Sequence, residues 1–231
     1  MNRIPSLIVM LTYNDRTVEN AQELFRKCSI SKAEYWGFKE SPLPAYKMKE
    51  LCWAIRESGK TAVQEVVAYT EDECVRSAET AAECGFDILM GTVYSERVHS
   101  ICNEAGMKYM PFAGNVSEVP SILEGSAESM IAETEKYLKK GVFGVDLLGY
   151  RYTGNAPELI RRFTSEISAP VCIAGSVNSF ERIDEIISCS PWAFTIGSAF
   201  FDNCFGDDGF SAQVDRICSY LEEKCASKGC I

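Results

Sequence analysis

The sequence has little of what metal sites and histidine-based catalysis require. Its 231 residues include a single histidine, His99, and no two of its eleven cysteines have the C-x-x-C spacing. Zinc sites are built from closely spaced cysteine and histidine, and a Ser-His-Asp triad needs a histidine beside its nucleophile. We therefore expect no metal, no catalytic triad, and reduced thiols in a cytoplasmic protein.

Long apolar runs and excess positive charge are also missing. The longest nearly uncharged apolar stretch covers residues 191–201, well short of the roughly 20 residues that span a bilayer. The chain has 23 Lys and Arg against 33 Asp and Glu, a net charge of −10. A chain with this excess of acidic residues has too few cations to neutralise a nucleic-acid backbone, so we expect no nucleic-acid partner. Because no apolar run is long enough to span a bilayer, we also expect no membrane partner. A small phosphorylated ligand is compatible with this charge balance, because a local helix terminus can bind an anion at any net charge.

Nucleotide-binding fingerprints are absent too. The sequence contains neither a P-loop nor a strand–Gly-x-Gly-x-x-Gly–helix pattern, and we expect no cofactor.

Eight short apolar runs alternate with amphipathic stretches. Strands are predicted over residues 6–13, 33–40, 61–69, 86–93, 108–112, 143–148, 171–174 and 192–197. Helices are predicted from near residue 17, with Asp15 or Thr17 as a cap, and over 44–58, 71–84, 95–104, 127–140, 157–167, 180–187 and 211–224. Apolar strands without polar alternation are typical of a parallel sheet buried on both faces. Eight βα units without a linker predict one (βα)8 TIM barrel domain over residues 1–231, with an open doubly wound sheet as the alternative.

Two Gly-Ser turns follow the last two predicted strands. Gly175-Ser176 comes after the seventh strand and Gly197-Ser198 after the eighth. Glycine lets a backbone approach an anion closely, and the serine hydroxyl adds a donor. The loops after strands seven and eight are also where (βα)8 barrels commonly hold phosphate. Tight turns without a ligand are the alternative, because they favour the same residues. Two such turns side by side favour a phosphate site.

The same region carries a family resemblance. Residues 145–150, which end in Gly149-Tyr150, and residues 171–178 and 194–200 resemble the ribulose-phosphate-binding barrel superfamily. Within it, the pattern is most similar to the N-acetylmannosamine-6-phosphate 2-epimerase family, over about residues 69–201. The resemblance implies a barrel that binds a sugar phosphate, and its motifs are not specific for one reaction.

Three positions depart from the epimerase pattern. That family has a lysine at the end of strand three, where this chain has Glu65. Its carboxylate before the strand-seven glycine turn is Ala174 here, and its aspartate late in strand four is Met90 or Gly91. The resemblance therefore implies the fold and the anion site, and not the family's proton-transfer residues.

Charged residues at other strand ends are the candidates for chemistry. Lys39 ends strand two and Glu65 lies late in strand three, so we expect the two side chains to meet. A lysine among aromatic residues can have a lowered pKa and act as a base or nucleophile. Asp146 is an isolated acid in strand six, where burial would raise its pKa. Arg151 is placed to clamp a carboxylate or phosphate, and Asn14 to hydrogen-bond a sugar.

These residues favour one function and leave two alternatives. A metal-independent epimerase or isomerase would use Lys39, Glu65 and Asp146 to move a proton next to the carbonyl of a small phosphorylated sugar or sugar acid. An aldolase would form a Schiff base on Lys39. A non-catalytic sensor would keep only the anion site, with the charged residues serving as an ion network inside the barrel. A homo-oligomer formed through the outer helices is compatible with each.

Overall fold

The computed structural model of the chain describes residues 4–118 and 120–228. Eight strands form the central sheet: β1 (Ser6–Met10), β2 (Tyr35–Phe38), β3 (Thr61–Val66), β4 (Ile88–Gly91), β5 (Lys108–Met110), β6 (Val145–Leu147), β7 (Val171–Ile173) and β8 (Ala193–Ile196). All neighbouring pairs are parallel, in the order β6-β7-β8-β1-β2-β3-β4-β5.

The two edges of this sheet meet. Phe112, just beyond β5, forms a parallel bridge with Asp146 in β6, and the Asp146 amide donates to the Pro111 carbonyl over 2.9 Å. These contacts close the sheet into a nearly complete barrel. The predicted (βα)8 fold is confirmed.

Helices follow the strands along the outside of the barrel. They are α1 (Ala21–Cys28), α2 (Ala45–Glu57), α3 (Glu71–Cys84), α4 (Glu96–Glu104), α5 (Ala127–Lys139), α6 (Ala156–Glu166), α7 (Phe180–Cys189), the four-residue α8 (Ser198–Phe201) and α9 (Phe210–Lys228). Local signals set their ends, as in α3. The Thr70 hydroxyl accepts from the Glu73 amide at its start, and Gly85 ends it with a φ of 82°.

The core has two parts. A large apolar layer lies between the sheet and the helices. A smaller cluster fills the barrel interior and comprises Ile8, Met10, Val63, Ile88, Met90, Met110, Cys172 and Ala193. Tyr35, Phe143 and Trp192 pack against this cluster at the amino ends of the strands, and the Trp192 ring meets the Tyr35 and Phe143 rings edge to face. The amino end of the barrel is therefore packed with aromatic side chains, and the chemistry-bearing residues lie towards the carboxyl end.

Several strands end earlier than predicted. After two of them the chain forms a hairpin, which the hydrophobic pattern does not predict. After β1, residues Thr12–Tyr13 and Arg16–Thr17 form a small antiparallel hairpin. Helix α1 begins only at Ala21, so the predicted start near residue 17 was wrong. Neither Asp15 nor Thr17 caps it; the Thr17 hydroxyl instead accepts from the Lys39 amide over 2.9 Å. A second hairpin, Asn115–Ser117 with Ile122–Glu124, follows β5.

None of the helices in the described ranges is long and apolar enough to cross a membrane.

Candidate active site

A cavity of about 870 Å³ opens at the carboxyl ends of the barrel strands. Its walls come from β1, β3 and β8 and from the segments after β1, β2, β5, β6, β7 and β8. It contains the predicted residues Asn14, Lys39, Glu65, Arg151, Gly175, Ser176, Gly197 and Ser198. Residues that are far apart in sequence thus share one space, as the barrel topology requires.

The alternation of side chains along the strands brings Lys39 and Glu65 into the barrel. Glu65 pairs in register with Met90, which belongs to the interior cluster. Lys39 lies two residues after Gly37, where an added Cβ would meet the Sδ of interior Met10. Side chains in register or two residues apart share a face of the sheet. The two charged groups meet, with Lys39 Nζ 3.6 Å from Glu65 Oε1 and both side chains buried, so this prediction is confirmed.

A residue outside the predicted set completes this cluster. Asp15 lies at the tip of the hairpin after β1, and its Oδ1 is 2.9 Å from Lys39 Nζ. Asn14 and Asp15 have φ of 49° and 60°, as in the type I′ turns that suit two-residue hairpins. The turn directs the Asp15 carboxylate back into the cavity, onto the lysine.

The two carboxylates set the protonation of Lys39. Burial lowers the pKa of this lysine, but Glu65 and Asp15 outweigh burial, and the pKa of Lys39 is raised above its ordinary value. The expected lowering of this pKa was wrong. Burial likewise raises the pKa of Asp15, but the cations of Lys39 and Arg151 outweigh it, and the Asp15 pKa is lowered. Lys39 is an ammonium group at neutral pH.

Arg151 contacts the same acid. Its Nη2 lies 3.2 Å from both carboxylate oxygens of Asp15, and its Nη1 donates to the Ser121 carbonyl over 3.3 Å. The predicted carboxylate clamp is present, but the carboxylate belongs to the chain itself. Arg151 thereby ties together the loops after β1, β5 and β6.

Asp146 lies beneath the cavity rather than in it. The residue is 0% exposed, does not line the cavity, and neither carboxylate oxygen has a hydrogen-bond partner among the described residues. Burial and the nearby Glu65 raise its pKa well above the ordinary value, against an opposing effect of Lys39. The expected rise is confirmed. Asp146 therefore does not line the cavity in this structure, and its charge state depends on both Glu65 and Lys39.

The two Gly-Ser turns lie next to each other on one wall of the cavity. Gly197 passes so close to β1 that an added Cβ would come within 2.8 Å of Thr12 Oγ1. Gly175 has a φ of 116°, and an added Cβ would lie 3.1 Å from Arg151 Cγ. Both glycines are therefore required by local geometry, and both leave an adjoining serine at the cavity.

Two further contacts extend this wall. The backbone amide of Asn14 donates to Ser198 Oγ over 3.0 Å, so the hairpin tip contacts the β8 turn. Arg182, in the first turn of α7, donates to the Ser176 carbonyl and to Asn178 Oδ1. Arg182 was not predicted, because a helical arginine in a charged segment has no distinguishing sequence pattern. It brings a positive charge next to the β7 turn.

The described residues contain no group of three or more His, Cys, Asp and Glu side chains arranged to hold a metal ion.

Comparison with solved structures identifies barrels of the same architecture. Orotidine 5'-phosphate decarboxylase from Pyrococcus horikoshii superposes with a TM-score of 0.69 and 14% identity, over 94% of this chain and 99% of the other. A native KDPGal structure superposes with a TM-score of 0.67 and 12% identity, over 96% of each chain. The N-acetylmannosamine-6-phosphate 2-epimerase from Clostridium perfringens superposes with a TM-score of 0.61 and 12% identity, over 94% of this chain and 93% of the other.

No protein-family model matches the chain, and neither does any curated protein sequence. At these identities the likeness establishes the fold, and one fold hosts several chemistries, here a decarboxylase and an epimerase. The comparison bears out the resemblance at the level of the fold: this chain and these solved structures are (βα)8 barrels of the same architecture.

Proposed function

We propose that the protein is a metal-independent sugar-phosphate epimerase or isomerase. One observation carries the proposal: the Gly-Ser turns after β7 and β8 and the buried Lys39–Glu65 pair line the same cavity. An anion site beside an acid–base pair is what proton transfer on a phosphorylated carbonyl compound requires.

The phosphate would lie against Gly175, Ser176, Gly197 and Ser198. The two serine hydroxyls supply donors, and the glycines allow the backbone to approach the phosphate oxygens. Arg182 adds positive charge behind the β7 turn. These local features offset the acidic balance of the whole chain at this wall.

The proton transfer would be shared between two residues. The Glu65 carboxylate removes a proton from the carbon next to the carbonyl, and the Lys39 ammonium donates a hydrogen bond to the carbonyl oxygen as negative charge develops there. For an epimer, Glu65 keeps that proton and the Lys39 ammonium gives a proton to the same carbon from the other face; proton transfer between the two side chains then restores both. For an isomer, Glu65 gives the proton to the former carbonyl carbon, while the proton of the neighbouring hydroxyl group passes to the former carbonyl oxygen. Asp146, neutral beneath Glu65, adds no second negative charge to that base.

The aldolase alternative is less well supported. A Schiff base needs a neutral amine, whereas two carboxylates hold Lys39 as an ammonium group. Opening these ion pairs would be necessary before Lys39 attacked a carbonyl.

Hydrogen exchange with solvent tests the proposal. Ketose and aldose phosphates are incubated with the protein in D2O, and NMR follows deuterium at the carbon next to the carbonyl. We expect exchange into one of these compounds and a loss of at least 100-fold in Glu65→Gln, the usual scale for removal of a general base. Glu124→Gln, an exposed acid outside the cavity, is the control.

Three outcomes separate the alternatives. Unchanged exchange in Glu65→Gln contradicts the assignment of the base. Binding of a sugar phosphate without any exchange favours the sensor. A protein whose mass increases by that of the substrate after borohydride reduction favours the aldolase.

A further inference from the structure

Both cationic side chains of the described cavity lining hold the same carboxylate. Lys39 and Arg151 are the two cations that line the cavity, and they contact Asp15 at 2.9 and 3.2 Å. Each cation that could bind an anionic substrate group at the cavity floor is therefore already paired within the chain.

The Asp15 carboxylate is held in place from several directions. The tight turn that carries it belongs to a hairpin joined to β2 through the Thr17 hydroxyl and the Lys39 amide. Arg151, in turn, is anchored to the second hairpin through the Ser121 carbonyl. The side chain of Asp15 is 24% exposed and that of Lys39 is 8% exposed, so little water screens their contact.

The other charged residues of the described cavity lining are acidic. Besides Asp15 they include Glu65 on β3, Glu118 in the second hairpin, and Asp202 after α8. Four carboxylates against two cations give the described lining as a whole a net charge of −2. A substrate carboxylate placed there would meet like charges and no unpaired cation, whereas hydroxyl and carbonyl groups would find both donors and acceptors.

We propose that Asp15 is a specificity-determining residue that excludes a second anionic group, so that the site accepts phosphates of neutral sugars and rejects phosphorylated sugar acids. This inference rests on the proposed function, because it assumes that phosphate binds at the Gly-Ser turns. Asp15 occupies with its own carboxylate the position between Lys39 and Arg151 that the carboxylate of a sugar acid would need.

A matched pair of stable probes tests it. Sorbitol 6-phosphate and 6-phosphogluconate differ only at carbon 1, which is a hydroxymethyl group in the first and a carboxylate in the second. Calorimetric titration of the full chain at neutral pH gives both dissociation constants, and inorganic phosphate is the third probe. We expect the polyol phosphate to bind at least tenfold more tightly than the acid.

Two variants test the role of Asp15 itself. Asparagine and glycine both tolerate the positive φ at this position, so Asp15→Asn and Asp15→Gly preserve the turn while freeing the two cations. We expect each to lower the preference for the polyol phosphate at least tenfold, chiefly by tighter binding of the acid. Asp202→Asn removes the same charge from the same cavity without releasing a cation, and should change the preference less than threefold.

The outcomes separate this inference from the proposed function. Equal binding of both sugar derivatives by the unmodified protein overturns the inference while the phosphate site stands. An unchanged preference in both Asp15 variants, or an equal change in Asp202→Asn, also overturns it. If inorganic phosphate and both sugar derivatives fail to bind, the proposed function fails and the inference fails with it.

Discussion

Single residues show how the interior of the barrel sets protonation states. Lys39 keeps its proton because two carboxylates face it, although burial alone would favour the neutral amine. Asp146 has the opposite environment, because neither of its oxygens has a hydrogen-bond partner in the described structure and Glu65 is close. The barrel thus contains a buried lysine and, below it, a buried carboxyl group, and the pKa of each is raised above its ordinary value.

The raised pKa of Asp146 leads to a prediction about how stability changes with pH. Its pKa in the folded state is raised above the ordinary value of 3.8, so above about pH 4 the unfolded chain has lost a proton that the folded chain retains. The free energy of unfolding therefore falls as pH rises through that window. Asp146→Asn has no proton to lose, and its stability relative to the unmodified protein should increase from pH 4 to pH 8.

Urea unfolding at several pH values measures this difference. Asp202→Asn, in the exposed loop after α8, controls for loss of a carboxylate elsewhere. A stability difference that stays constant over the whole pH range, or that decreases as pH rises, would show that Asp146 is ionised in the folded protein.

At the scale of elements, the hairpin after β1 does more than connect a strand to a helix. Its two-residue turn lets the Asp15 carboxylate form ion pairs with Lys39 and Arg151. It also lets the backbone amide of Asn14 donate to the Ser198 hydroxyl. The hairpin therefore links the proposed acid–base pair to the proposed phosphate wall. Its geometry depends on two consecutive residues with positive φ.

Substitution at Asn14 tests that geometry. A β-branched residue is strongly disfavoured at a φ of 49°, so Asn14→Val should lower the free energy of unfolding by about 1–2 kcal/mol. Asn14→Gly removes the same side chain but tolerates the conformation, and should cost less than about 0.5 kcal/mol. Urea unfolding compares the two, and an equal loss in both would mean that the side chain, and not the turn, matters.

Particular residues show what the sequence could and could not predict. Helix α3 was predicted with its observed bounds, because Thr70 and Gly85 are strong end signals. The Lys39–Glu65 contact was predictable because both residues end neighbouring strands. The Asp15–Arg151 contact joins residues 136 positions apart through the path of a loop. Hydrophobic periodicity carries no information about such a path, so Asp15 was taken for a helix cap.

At the scale of the whole molecule, the barrel separates stability from chemistry. The amino end is packed with aromatic side chains, and the carboxyl end holds the cavity with its charged and hydroxyl groups. Eight loops of different length are carried by a regular scaffold, so the reaction depends on a few strand ends. Self-association stays a prediction; Tyr46 and Trp53 on α2 are exposed apolar groups on the outer surface.

Ligand-dependent thermal unfolding tests the proposed phosphate site most directly. Sugar phosphates and their unphosphorylated parents are compared on the unmodified protein and on Ser176→Asp, which puts a negative charge on the β7 turn. Ser188→Asp, an exposed position in the last turn of α7, is the matched control. A ligand at about 100 times its dissociation constant adds about 2.7 kcal/mol, which raises the melting temperature by about 5–10 °C.

We expect one sugar phosphate to raise the melting temperature while its parent does not, with the shift lost in Ser176→Asp and kept in Ser188→Asp. Phosphate binding at the β7 and β8 turns would be contradicted if no phosphate compound raised the melting temperature of the unmodified protein. It would also be contradicted if the rise in melting temperature persisted in Ser176→Asp.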